Sequence, residues 1–97
     1  MRDDIIIVKE MGLSHQEFFK TIASALGSDQ FERVGASVLL TTGRLILKIE
    51  LSEESERRIA LMVIPRTVVT LTFINYTQAQ VDAAIKRFDM VFKRGGG

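Results

Sequence analysis

The chain has 97 residues, of which 46% are apolar and 26% are charged, and these proportions are typical of one folded globular domain and not of a disordered segment. It contains no cysteine, which excludes disulfides, thiolate nucleophiles and zinc sites built from thiolates. Thirteen basic residues against twelve acidic ones leave a formal charge of +1, so no overall field draws the protein onto nucleic acid or an anionic membrane.

The N-terminal segment predicts a strand at residues 5–9. Its apolar run, IIIV, is unbroken, which is typical of a central strand that is buried on both faces. The run is too short for a signal-peptide core or a membrane span. We therefore expect a cytoplasmic protein that does not associate with membranes.

The next segment carries the start and stop signals of a helix. Ser14 and Glu17 have the spacing of a capping box, and Gly27 suits the left-handed position that ends a helix. Between these signals, apolar residues recur at helical spacing: Phe18, Phe19, Ile22 and Leu26. The pattern predicts a helix over His15–Leu26.

A strand, a tight turn and a second strand are predicted next. Apolar and polar residues alternate over 45–51, apart from Ile46, and Gly43 lies in the turn before them. A further short strand is expected at 31–34. The alternation predicts one buried and one wetter sheet face.

The segment after residue 51 begins with a charged stretch, 52–58, that we expect to be a connection. Residues 59–64 and 67–74 are rich in β-branched side chains, which favour strands. Pro65 predicts a turn or kink between these two strands.

The last element repeats the logic of the first helix. Thr77 and Gln80 form a second capping box, and the apolar stripe that follows predicts a helix from residue 78 to 92 or 93. Gly95 suits the position after the helix end.

These elements predict an α+β fold: a two-layer sandwich in which an antiparallel sheet of about four to five strands carries two helices on one face. The element order is β-α-β-β-β-β-α, with residues 1–94 as a single domain and 95–97 as a flexible glycine tail. The order resembles the half-saddle arrangement of the TATA-box-binding-protein-like folds, in element order alone and without a shared motif.

The sheet face away from the helices is the predicted interaction face, because several apolar residues fall on it. Such a face is normally covered, since monomeric proteins rarely leave several hundred Å² of contiguous apolar surface in water. The candidate interaction residues are Ile46, Met62, Ile64, Val68, Thr70 and Thr72.

A homodimer formed through or near this face is the function that we expect, in a binding domain without enzymatic activity. One alternative is that a bulge or the kink at Pro65 folds one strand over the face, so that this surface joins one internal core. Another is that the face binds an unidentified protein, a peptide or a small apolar ligand, with Met62 and Ile64 as lining residues.

Nucleic acid is a further alternative for the same face. Four basic residues are predicted to form its rim: Arg44, Lys48, Arg58 and Arg66. The near-zero net charge and the lack of exposed aromatic residues spaced for base stacking both disfavour it.

Catalytic, metal and cofactor sites are not predicted. His15 is the only histidine, and no nucleophile or orienting group is near it in sequence. The acidic residues Glu53, Glu54 and Glu56 lack the spacing of a metal-binding loop. The interior glycines are isolated and do not form a phosphate-binding loop.

The C-terminal Gly96 and Gly97 resemble the tail of the sulfur-carrier and ubiquitin-like families. That resemblance implies a carrier function in which the terminal carboxylate is adenylated and passed to sulfur or an amine. Only these two residues match, and they follow a predicted helix, whereas in those families the tail follows the last strand of a β-grasp fold.

Overall fold

Two helices pack on one face of an antiparallel sheet in the computed structural model, which describes residues 4–95. The elements in chain order are β1 (Ile5–Met11), α1 (His15–Leu26), β2 (Phe31–Val34), β3 (Ser37–Thr42), β4 (Leu45–Leu51), β5 (Ser55–Ile59), β6 (Met62–Ile74) and α2 (Gln78–Gly95). The predicted α+β class, with an antiparallel sheet and two helices, is confirmed. One strand more than predicted lies between the helices. The resemblance to the element order of the TATA-box-binding-protein-like folds is therefore incomplete.

The long strand β6 is the centre of the sheet. The strands follow the order β1-β6-β4-β3-β2, and β5 pairs with the first part of β6. β1 therefore lies at an edge, and the expectation of a first strand buried on both faces is wrong. Its edge position leaves Ile6 and Val8 61% and 62% exposed.

The core lies between the sheet and the helices. Because side chains alternate along a strand, one set from β4 and β6 faces the helices and is buried. This set comprises Leu47, Ile49, Leu51, Val69, Leu71 and Phe73. The rings of Phe18 and Phe92 stack with centroids 5.2 Å apart, and Phe88 lies 4.5 Å from Phe92. These aromatic contacts join the two helices above the sheet.

Both helices begin at the predicted capping boxes. Ser14 Oγ accepts a hydrogen bond from the Glu17 N–H at 3.1 Å, and Glu17 Oε1 accepts one from the Ser14 N–H at 3.1 Å. Thr77 and Gln80 exchange the same two bonds at 3.2 and 2.8 Å. Gly27 ends α1 with a φ of 68°, the predicted left-handed conformation.

The second helix ends later than predicted, because α2 continues through Gly95. Gly95 is therefore helical, and the glycine does not end the helix where the pattern placed it. Gly96 and Gly97, on which the carrier function depends, lie outside the described residues, as do residues 1–3. The carrier function stays a prediction. Neither helix of the described chain is both long and apolar enough to cross a membrane.

Pro65 does not divide two strands, because β6 runs through it without interruption. The Val68 N–H donates to Ser52 Oγ and the Val68 carbonyl accepts from the Ser52 N–H, so the backbone groups of Val68 point toward the segment that follows β4. Backbone alternation therefore turns the nitrogen of Pro65 toward the opposite side of β6. β1 ends opposite Thr67, and no described strand pairs with Pro65 on that side. The missing N–H therefore breaks no pairing, which is the condition under which a strand tolerates proline.

The charged stretch that follows β4 is also a strand in part, since its residues from Ser55 onward form β5. It follows that the alternative with a strand folded over the second face at Pro65 is wrong. No element among residues 4–95 covers the sheet face opposite the helices.

Candidate interaction face

The sheet face opposite the helices, called the outer face below, contains all six candidate interaction residues. Ile46 lies on it from β4, and β6 contributes Met62, Ile64, Val68, Thr70 and Thr72. Arg66 lies between Ile64 and Val68 on the same face, and Ile74 lies at its end. Along β6 these residues are half-buried, except for Met62, which is 63% exposed. Together they form one stripe along the central strand.

Two residues of the edge strand extend this stripe sideways. Ile6 pairs with Thr72 and Val8 pairs with Thr70, so both side chains lie on the outer face. Each is more than half exposed. The sequence interpretation missed them because an apolar run without alternation does not distinguish a central strand from an edge strand.

A two-stranded ribbon projects from the end of the sheet. It consists of residues 55–66, which include β5 and the start of β6, and is called the arm below. β4 ends opposite Val69, and β1 ends opposite Thr67. The part of β6 that precedes Thr67 therefore pairs with β5 alone. The described chain measures 49 × 25 × 24 Å, and β6, at about 3.3 Å per residue, accounts for about 43 Å of the long axis.

The tip of the arm is apolar on both of its faces. Ile59 and Met62 pair on the outer-face side and are 49% and 63% exposed, while Val63, on the other side, is 51% exposed. Leu61, in the turn, is fully exposed. An isolated two-stranded ribbon is at best marginally stable in water, so this arm is a strong candidate for a docking element.

The base of the arm is anchored to the body by hydrogen bonds. The His15 ring nitrogen Nε2 lies 2.6 Å from the Ser52 carbonyl oxygen, and the His15 N–H donates to Glu54 Oε1 at 2.6 Å. On the other strand, the buried Thr67 hydroxyl donates to the Leu13 carbonyl at 2.8 Å. The histidine thus ties the start of α1 to the segment between β4 and β5.

Within residues 4–95, His and acidic side chains do not gather into a group of three able to hold a metal ion.

The four predicted rim cations lie apart from one another. Arg66 Nη2 donates to Glu10 Oε2 at 2.9 Å, and Arg66 Nε lies 2.8 Å from Oε1 without the alignment of a hydrogen bond. Lys48 lies within the outer face, in β4. Arg58 is on the opposite side of the arm, and Arg44 is in the turn between β3 and β4, at the far end of the sheet.

The cavities of the described chain are small or open. An interior cavity of about 80 Å³ lies between the sheet and the helices, beside Tyr76, whereas ligand sites have volumes of about 300–1,000 Å³. Burial raises the pKa of the Tyr76 hydroxyl, which keeps the group protonated and makes it a poorer acid. Open depressions lie beside Leu39 (about 200 Å³), Ile64 (about 170 Å³) and Arg44 (about 790 Å³).

Comparison with known proteins found no matching family model, no similar curated protein and no similar solved structure.

Proposed function

We propose that the protein is a small cytoplasmic interaction domain without enzymatic activity, and that it forms a homodimer through the outer face of its sheet. One observation carries the proposal. Ile6, Val8 and Met62 are each more than 60% exposed on a single continuous face, which no described element covers. A face of this kind favours burial against another molecule.

A second copy fits this face in size. β6 has a neighbouring strand on both sides along the body and β5 alone along the arm, so it forms a stripe about 43 Å long and about 10–14 Å wide, or about 500–600 Å². Stable protein interfaces bury about 800 Å² of accessible surface per partner, so the stripe supplies more than half of that area and the rest of the outer face, on β3 and β2, adjoins it. A two-fold axis uses the same surface on both copies, which closes the assembly at two.

The polar groups near the face support a role in binding and not in catalysis. The ring and backbone N–H of His15 make structural contacts to Ser52 and Glu54. Arg66 is held by Glu10. These groups position the base of the arm, which is the function that their geometry supports.

Val8→Asp tests the proposal, because it places a charge on the outer face beside Thr70, the residue of the central strand with which Val8 pairs. We expect it to weaken the dimer by at least about tenfold, measured by sedimentation equilibrium, since an unpaired charge is costly to bury. Met90→Asp is the matched control, because Met90 is a 48% exposed methionine on α2, away from the sheet. Equal dimer affinities for the two variants would contradict the proposal.

A further inference from the structure

A homodimer through the outer face, as proposed above, requires some part of a second copy to lie on that face. We propose that this part is the arm, and that two copies exchange arms so that each arm lies on the outer face of the other body. The exchange rests on the proposed dimer and adds to it the docking element, the register and a charge contact between the copies.

The edges of the arm are poorly suited to pairing with another strand. The β5 edge carries Glu56, Arg57 and Arg58 in succession, and charged residues discourage edge-to-edge pairing. The β6 edge presents the nitrogen of Pro65, which cannot donate. Since every residue of β5 is exposed, the arm can gain cover only by packing a face and its apolar tip against another surface.

A two-fold axis at the level of Thr67 matches each arm with a body. The two outer faces lie opposite each other, about 10 Å apart. The axis lies in the plane midway between them and runs perpendicular to β6. Residues equally distant from Thr67 on β6 then lie opposite each other. Met62 of one copy is opposite Thr72 of the second copy, and Ile64 is opposite Thr70 of the second copy.

The surface that receives the arm in this register is the strand pair β6–β4 of the second body. Met62, itself 63% exposed, lies opposite Thr72, and its pairing partner Ile59 lies opposite Lys48. Ile6 pairs with Thr72 and Val8 with Thr70 on the β1 side, so both lie along the open β6 edge of the arm. The methyl groups of Thr70 and Thr72 and the alkyl part of Lys48 are the apolar surface that the arm meets.

Charge complementarity selects the same register. β5 continues on the β4 side of β6, Arg57 pairs with Ile64, and Glu50 pairs with Thr70. The axis at Thr67 therefore places Arg57 opposite Glu50 of the second copy. Arg57 makes no ion pair with another described residue, and Glu50 has Lys48 Nζ at a distance of 3.8 Å. A second copy supplies the carboxylate that Arg57 lacks.

Thiol cross-linking tests the register directly, because the natural chain has no cysteine and each introduced thiol is unique. Full-length Met62→Cys and Thr72→Cys chains are mixed and treated with a short bis-maleimide, because Cα atoms about 10 Å apart are too distant for a direct disulfide. We expect the cross-link between the two different chains to form faster than either self-pair. The matched control is Met90→Cys mixed with Thr72→Cys. Equal cross-linking in the two mixtures, or a Met62→Cys self-pair as the main product, would overturn the exchange.

Charge reversal tests the predicted contact between the copies. Arg57→Glu and Glu50→Arg are each expected to raise the dimer Kd by about tenfold, and their combination in one chain is expected to restore it to within about threefold. If the two losses in dimer affinity simply add in the double variant, the exchange is overturned and the proposed dimer still stands. A wild-type chain that stays monomeric would overturn both.

Discussion

Arg87 connects the two helices through a single carbonyl. Its Nε and Nη2 donate to the Ser24 oxygen at 3.3 and 3.2 Å, in addition to the Gly27 N–H that this carbonyl in the last turn of α1 also accepts. The guanidinium also lies over Gly27, where an added Cβ would come within 3.0 Å of Cζ. Gly27 is therefore needed for its φ of 68° and for the space that Arg87 occupies.

Gly27→Ala is expected to destabilise the protein by about 2–3 kcal/mol, because it adds a steric conflict to the strain of a positive φ. Gly35→Ala is the matched control: its φ of 58° is similar, but nothing lies within 4 Å of the added Cβ. We expect the control to lose about 1 kcal/mol in urea unfolding. Equal losses would show that Arg87 moves aside without cost.

Phe88→Ala tests the assignment of the buried face of α2. Phe88 is 2% exposed and contacts the rings of Phe18 and Phe92, so its truncation should cost about 3–5 kcal/mol in the free energy of unfolding. Met90→Ala on the exposed side should cost less than about 1 kcal/mol. A loss below about 1 kcal/mol for Phe88→Ala would mean that the helix packs by another face.

At the scale of elements, the turn of the arm contains a local conflict. Ala60 has a φ of 54°, and a positive φ at the first of two turn residues is the type II′ arrangement that favours glycine. An alanine in this conformation costs about 1 kcal/mol. The arm therefore forms despite an unfavourable turn residue.

Ala60→Gly should relieve this strain and slow hydrogen exchange of the arm amides. Leu61→Gly is the control, because it adds flexibility at the second turn position without relieving a positive φ. We expect slower exchange for the first variant alone, measured over residues 55–66. Faster hydrogen exchange of the arm amides in Ala60→Gly would contradict the positive φ of Ala60.

The elements that could be predicted from sequence are those with local signals. Both helices begin where the capping boxes place them, and Gly27 ends α1, because these hydrogen bonds form within one turn of chain. β5 could not be predicted, since a charged run is equally typical of a loop. The tolerance of Pro65 depends on which strand ends beside it, and that information is long-range.

At the scale of the whole molecule, the arm determines the shape. The Cα radius of gyration is 13.8 Å, somewhat above the value of about 12.5 Å typical of a compact domain of this length. The outer-face residues of β6 could be predicted from the period-two alternation alone. The exposure of Ile6 and Val8 could not, because it depends on the strand order.

The mass of the wild-type protein in solution tests the central claim most directly. Sedimentation equilibrium over about 1–100 µM, the range in which a moderate interface of this size associates, should show a mass rising with concentration from that of one 10.9 kDa chain toward twice that value. A constant mass of 10.9 kDa over the whole range would contradict the homodimer and, with it, the exchange of arms.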